Sequence, residues 1–152
     1  MREVIAAGEL LERDWHVLSE VWSITSFSEL AREARETQRW NRLHPTEPQR
    51  ESYAEGCLKG AMPVIAATDY VCGYPQMIAA YLEAPFVALG TDGFGRSDTR
   101  AVLRSFFEVD RRHITVAALQ ELARSKAISA ETVARAVDTY AIDATCEAPW
   151  GR

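Results

Sequence analysis

Val4, Ile5, Gly8, Leu11 and Trp15 fall on one helical stripe, with Glu9, Glu12 and Arg13 off it. That spacing predicts an amphipathic helix starting at the first residues. Val17 to Ile24 (VLSEVWSI) reads as a strand, rich in β-branched and aromatic side chains. Thr25 to Glu29 closes it with a capping box, in which Ser26 accepts from the Glu29 N–H and the Glu29 carboxylate reaches back. Phe27, Leu30, Ala31 and Ala34 then recur at i, i+3, i+4, i+7, which predicts a helix running into Trp40. His44-Pro45-Thr46-Glu47-Pro48 stops it, since proline lacks the backbone donor a helix needs.

Ser52 to Lys59 is expected to form a short helix. Pro63 to Thr68 (PVIAAT) is apolar without alternation, the pattern of a strand buried on both faces in a parallel sheet. Phe86 to Gly90 is a third strand of the same kind. Between them, Tyr70 to Leu82 reads as a helix made irregular by Pro75. Three helices follow: Asp98 caps Thr99 to Phe107, Asp110 caps Arg111 to Ser125, and Ser129 caps Ala130 to Tyr140. The last presents Val133, Ala134, Val137 and Ala141 on one face, and residues 142–152 read as a loop-like tail. Strands alternating with helices predict an α/β fold with a mostly parallel sheet, in one domain over 1–152.

Composition narrows the partners. Of 152 residues, 47% are hydrophobic and 26% charged, the mix of a folded domain. Acids outnumber bases, 22 to 17, for a net charge of -5, which argues against nucleic acid as a partner. The densest basic group, Arg32 to Arg42, is interleaved with Glu33 and Glu36. Cys57, Cys72 and Cys146 have no short CxxC spacing and read as free, mostly buried thiols in a reducing compartment. The N-terminus MREVIAAGELLERDW is too charged for a signal peptide and too acidic for a transit peptide. No apolar run reaches membrane length, so a cytoplasmic location without membrane contact is expected.

The stretch TDGFGRSDTR, Thr91 to Arg100, has the layout of a phosphate cradle: a strand, a glycine loop and a helix start. Yet Gly93-Phe94-Gly95 is followed by Arg96, Ser97 and Asp98, so an acid stands where a dinucleotide fingerprint has its third glycine. A carboxylate there competes with a phosphate for the helix start. The expectation is a tight turn in which Phe94 packs, Asp98 caps, and Asp92 serves the turn. No histidine stands at ligand spacing from a cysteine or another histidine. His44, in RLHP, is expected to be a structural hydrogen-bonder, and His113, in a first helical turn, to be exposed. His16 carries no motif. Trp22, Trp40 and Phe94 suit core packing, with an interaction surface as the alternative.

Several stretches together resemble a known family: VWSITSFSELAREA (Val21 to Ala34), RWNRLHP (Arg39 to Pro45), PVIAATDY (Pro63 to Tyr70) and LGTDGFGRSDTRAVLRSFFEVDRRHITVAALQELA (Leu89 to Ala123). They are similar to the C-terminal domain of homodimeric, thiamine-diphosphate-dependent pyruvate dehydrogenases. The resemblance implies a three-layer α/β/α fold of the transketolase C-terminal type. It implies an enzyme that decarboxylates pyruvate and passes the acetyl group to a lipoyl arm of a dihydrolipoyl acyltransferase. It places thiamine diphosphate and magnesium in earlier domains. This segment then supplies dimer contacts and architecture, with no catalytic, cofactor-binding or metal-binding residue, and the TDGFGRSD loop is a strand-to-helix connection.

The sequence departs from the family pattern at Met1, which stands where the first helix is already under way, and at Tyr70-Val71-Cys72-Gly73-Tyr74 and Glu51-Ser52-Tyr53. An N-terminally truncated domain with a gapped sheet is therefore expected, from a truncated gene, an internal start or a split chain. The alternatives are a stand-alone assembly module that docks on a thiamine enzyme complex, and a small-molecule site at the carboxyl ends of the strands.

Overall fold

A computed structural model describes residues 1–151. Seven α-helices and two strands succeed one another among them: α1 (Arg2–Trp15), α2 (Phe27–Leu43), α3 (Tyr53–Cys57), β1 (Val64–Ala67), α4 (Gly73–Gln76), β2 (Phe86–Leu89), α5 (Arg100–Phe106), α6 (Arg111–Arg124) and α7 (Ala130–Thr139). Short 3-10 turns cover Ala79–Tyr81 and Pro149–Gly151. β1 and β2 pair in parallel, with Val64 opposite Phe86 and Ala67 opposite Leu89. The α/β expectation and the parallel pairing hold.

The expected strand over Val17 to Ile24 does not form. The segment takes no regular secondary structure, and no strand among the described residues pairs with it. It lies instead against α1, where a Cβ on Gly8 would stand 3.0 Å from Ser19 Oγ and 3.7 Å from Val21 Cγ2. β-branched residues favour an extended backbone, but a strand also needs a neighbour for its N–H and C=O groups. Leu18 is 80% exposed and Trp22 48% exposed, so the core does not claim Trp22. The two strands that do form are half-buried at every position rather than buried on both faces, because each has a strand on one side only.

Capping chemistry explains the other differences. Ser26 accepts from the Glu29 N–H at 3.2 Å as expected, but the Glu29 carboxylate accepts from Arg32 at 3.0 Å instead of completing the box. A full capping box forms at Ser52 and Glu55, starting α3. α5 begins one residue later than expected. Thr99 is therefore its N-cap, accepting from the Val102 N–H at 3.4 Å, while Asp98 accepts from the Thr99 N–H at 2.6 Å. Ser129 holds the N-cap position of α7 without a side-chain bond to the helix backbone. Tyr70 to Leu82 breaks into α4 and a 3-10 turn rather than one helix, with Pro75 buried within α4.

The main core joins α1, α6 and α7 through Leu11, Leu119, Val133, Ala136 and Tyr140. The buried face of α7 is thus Val133, Ala136 and Tyr140; Ala134 and Ala141, expected on it, are exposed. The Tyr140 hydroxyl accepts from Trp15 Nε1 at 2.8 Å and donates to Asp14 at 3.1 Å, which ties the end of α7 to the end of α1. α6 also packs on β1, and α4 on β2.

Four non-glycine residues adopt the left-handed conformation: His16, Glu108, Lys126 and Ala141. Each follows a helix. At Ala141 the motif is complete: its N–H donates to Asp138 O at 3.1 Å, and the Ile142 N–H to Val137 O at 3.0 Å. A Cβ is disfavoured there by ~1–2 kcal/mol, more than glycine loses in chain entropy. Ala141→Gly is expected to stabilise the fold by about 0.5 kcal/mol, whereas Ala134→Gly, on the exposed face of the same helix, destabilises it by about 1 kcal/mol. Urea unfolding of the two variants separates the effects.

Asp110 is the N-cap of α6, 7% exposed. Its Oδ1 accepts from the N–H groups of Arg112 at 3.0 Å and His113 at 3.1 Å and lies 2.8 Å from His113 Nδ1. Burial pushes the carboxyl up. The His113 side-chain and backbone hydrogen bonds and the neighbouring charges of His113 and Arg112 outweigh it and hold the pKa at about 2. His113 is thereby half-buried against Asp110, not exposed as expected. A folded-state pKa below the ordinary ~3.9 means the carboxylate stabilises the fold fully above that value. That stabilisation, about 2 kcal/mol, is lost as pH falls through about 2. Asp110→Asn, which keeps the shape but not the charge, should flatten the fall in stability between about pH 4 and pH 2. A wild-type curve no steeper than the variant's would contradict this.

Candidate functional site

Ligands of open α/β sheets bind beyond the carboxyl ends of the strands. Here those ends lead into residues 68–72 and 90–98, and the two segments are laced together. The Thr68 N–H donates to Leu89 O at 2.9 Å, and the Thr91 N–H to Tyr70 O at 2.9 Å. Asp92 accepts from the Cys72 N–H at 3.1 Å, so this acid fastens the two loops to each other. Only glycine fits at position 90, where a Cβ would lie 2.5 Å from Tyr70 O and 2.8 Å from Cys72 N. Gly93, at φ 107°, turns the chain beneath the backbone of Pro149 and Trp150.

TDGFGRSDTR therefore links β2 to α5, as expected. Phe94 does not pack, however, and is 81% exposed. The Arg96 guanidinium lies 4.0 Å from the centre of the Phe106 ring. A cleft of about 320 Å³ lies beside it, lined by Arg96, Ser97, Asp98, Val102, Leu103 and Phe106.

A second cleft, of about 200 Å³, opens at the end of β1, lined by Met1, Glu3, Val4, Ala67, Thr68, Asp69, Arg104 and Val109. Its charged groups are committed to one another. Arg104 reaches Asp69 at 3.2 Å and Glu3 at 3.6 Å, and Glu3 accepts from the Arg111 side chain at 2.9 Å and its backbone N–H at 3.1 Å. The hydrogen bond from the Arg111 side chain is the main reason the Glu3 carboxyl lies below its ordinary range. This network was not foreseen in the sequence. Its members lie in four separate segments, and only the fold brings them together.

The histidines serve elsewhere. His16 ends α1 in the left-handed conformation. His44 Nδ1 lies 2.8 Å from Trp40 O, and its ring stacks on the half-buried Trp40 indole at 4.4 Å, the structural role expected of it. The Arg50 guanidinium lies 3.6 Å from the centre of the same indole. Two flat groups that close to one ring must take opposite faces. Asn41 holds Arg50 in place, with its side-chain amide exchanging two 2.8 Å bonds with the Arg50 backbone. The RWNRLHP motif thus builds a clamp at the end of α2. Among the described residues, no three His, Cys, Asp or Glu side chains come together as metal ligands would.

All three cysteines are free, but Cys146 is exposed, contrary to the expectation of mostly buried thiols. The Cys72 thiol donates to Ala88 O at 3.5 Å. Burial first, then the adjacent Asp92 carboxylate, pushes its pKa up to about 12. The nucleophile is the thiolate. At pH 8 a chromogenic disulfide should modify Cys146 rapidly, and Cys72 only on unfolding. Equal labelling of both in native protein would contradict the geometry.

No helix among the described residues is long and apolar enough to cross a membrane. A family model described as "Transketolase-like TK C-terminal domain" matches residues 1–110. The chain is 53% identical over 143 residues to a pyruvate dehydrogenase E1 component of Cupriavidus necator, covering 93% of this chain and 16% of that protein. It is 47% identical over 145 residues to that of Pseudomonas aeruginosa and 45% identical over 145 residues to that of Escherichia coli, again over 16% of each relative. The fold, the parallel strand pair and these matches agree: the chain belongs to the transketolase-like C-terminal domain family.

Proposed function

We propose that this chain is an architectural and subunit-associating domain of a pyruvate dehydrogenase E1 component. The whole enzyme decarboxylates pyruvate and transfers the acetyl group to a lipoyl arm of a dihydrolipoyl acyltransferase in the cytoplasm. Support comes from identities of 45–53% across 93–95% of this chain to proteins of that name. The chain spans 16% of the length of these relatives, so the activity belongs to a polypeptide far longer than this one.

The observation that carries the architectural reading is the state of the cleft at the end of β1. The arginine that lines it, Arg104, is shared between Glu3 and Asp69. Asp92 is used in fastening loops and Asp98 in bonding the Thr99 N–H. These residues do not fit a magnesium diphosphate. Thiamine diphosphate supplies the thiazolium carbon on which pyruvate reacts, and this donor set supports its being held by other domains. Homodimer contacts and contacts to those domains have apolar surface to use. Leu18, Trp22, Phe94 and Trp150 are 80%, 48%, 81% and 66% exposed.

Given pyruvate, thiamine diphosphate, magnesium and a dye acceptor, the purified chain is expected to show no turnover. Its melting temperature should not shift with the cofactor and metal. Turnover in a preparation free of any longer enzyme, or a clear thermal shift, would overturn the assignment.

A further inference from the structure

The sequence reads Arg32 to Arg42 as a mixed stretch, arginines alternating with Glu33 and Glu36. The helix separates them in space. Glu33 turns away from solvent, accepting from the Thr37 hydroxyl at 3.1 Å and from the Tyr53 N–H at 3.0 Å. Glu36 is taken by Arg32 at 2.7 Å, and Arg32 also holds Glu29. Arg35, Arg39 and Arg42 stand at i, i+4 and i+7 on one face of α2, all exposed. Among the described residues no carboxylate lies within 4.0 Å of any of the three. The stripe is about 10 Å long. At its end, Leu43 is 54% exposed, and Arg50 lies on the clamped Trp40 ring.

We propose that this face of α2 docks an acidic segment of a partner protein. Its carboxylates would recur at about 5–7 Å, the spacing of successive helical turns or of alternate residues in a strand. Each guanidinium fork can take a carboxylate in two parallel hydrogen bonds. The clamp of Trp40, His44, Asn41 and Arg50 ties down the end of the helix, and the exposed Leu43 there sets an apolar contact beside the charged ones. Charge complementarity favours a short acidic segment over a nucleic acid. Three or four guanidiniums neutralise few phosphates, and the rest of a chain of net charge -5 repels a long polyanion. The inference stands apart from the proposed activity, since it rests on α2 and the clamp at its end.

The test uses the full chain and a fluorescein-labelled deca-glutamate peptide, followed by fluorescence anisotropy at low salt. The variant R35Q/R39Q/R42Q should bind it about tenfold more weakly than wild type. R2Q/R100Q/K126Q removes the same charge elsewhere and should bind within about twofold of wild type. R35K/R39K/R42K keeps the charge but loses the forks and should fall between. Circular dichroism establishes that the variants keep their helices. Equal losses in the two glutamine variants, or no binding by wild type, would overturn the proposal. So would tighter binding of a single-stranded DNA decamer through the same three arginines.

Discussion

Leu119 has no exposure to solvent, and the structure is organised around it. It sits on α6, which packs against α1, α7 and β1. A helix with several neighbours must be apolar or small on several faces, and α6 buries Ile114, Thr115, Leu119 and Leu122, with the buried Glu121 carboxylate paired to Arg124 at 3.0 Å. Thr115 is wholly buried and spends its hydroxyl on Arg111 O at 2.8 Å, with Ala7 O at 3.4 Å. Small residues on α1, Ala6 and Ala7, meet this face and allow close approach. Truncating Leu119 would open a cavity where three helices meet, the costliest kind of core change.

Polar ties hold the periphery of that core in register. The Trp15–Tyr140–Asp14 chain closes one end of the α1–α7 contact. The Glu3, Arg111, Arg104 and Asp69 network closes the other end of α1 onto α6, α5 and the exit of β1. The more exposed of these pairs, Arg104 with Asp69, contributes little by itself. Their consequence is geometric. They fill the carboxyl end of the sheet with mutually satisfied charges, in the region where related architectures place ligands. Membership of the transketolase-like C-terminal family and the absorbed charges of this cleft are the two supports of the architectural role proposed for the chain.

Sequence by itself determined what depends on near neighbours. Helical stripes placed α1 and α2, prolines ended α2, and Asp110 was legible as a cap because its acceptor reaches N–H groups only two and three residues away. The short apolar runs gave β1 and β2, and the combination of WSITSFSEL, RWNRLHP and LGTDGFGRSDTR carried the family. Tertiary structure decided the rest. Val17 to Ile24 has strand composition but no ladder partner, and composition cannot supply one. Asp98 and Thr99 are both competent caps, and one residue of helix start chose between them. Phe94 is exposed, and Gly93 beside it is hemmed in by Pro149 and Trp150, more than fifty residues away, neither of which the local sequence could tell. Arg35, Arg39 and Arg42 look neutralised along the chain and are not in space, because a helix sends consecutive residues to different faces while only those three or four apart stay together.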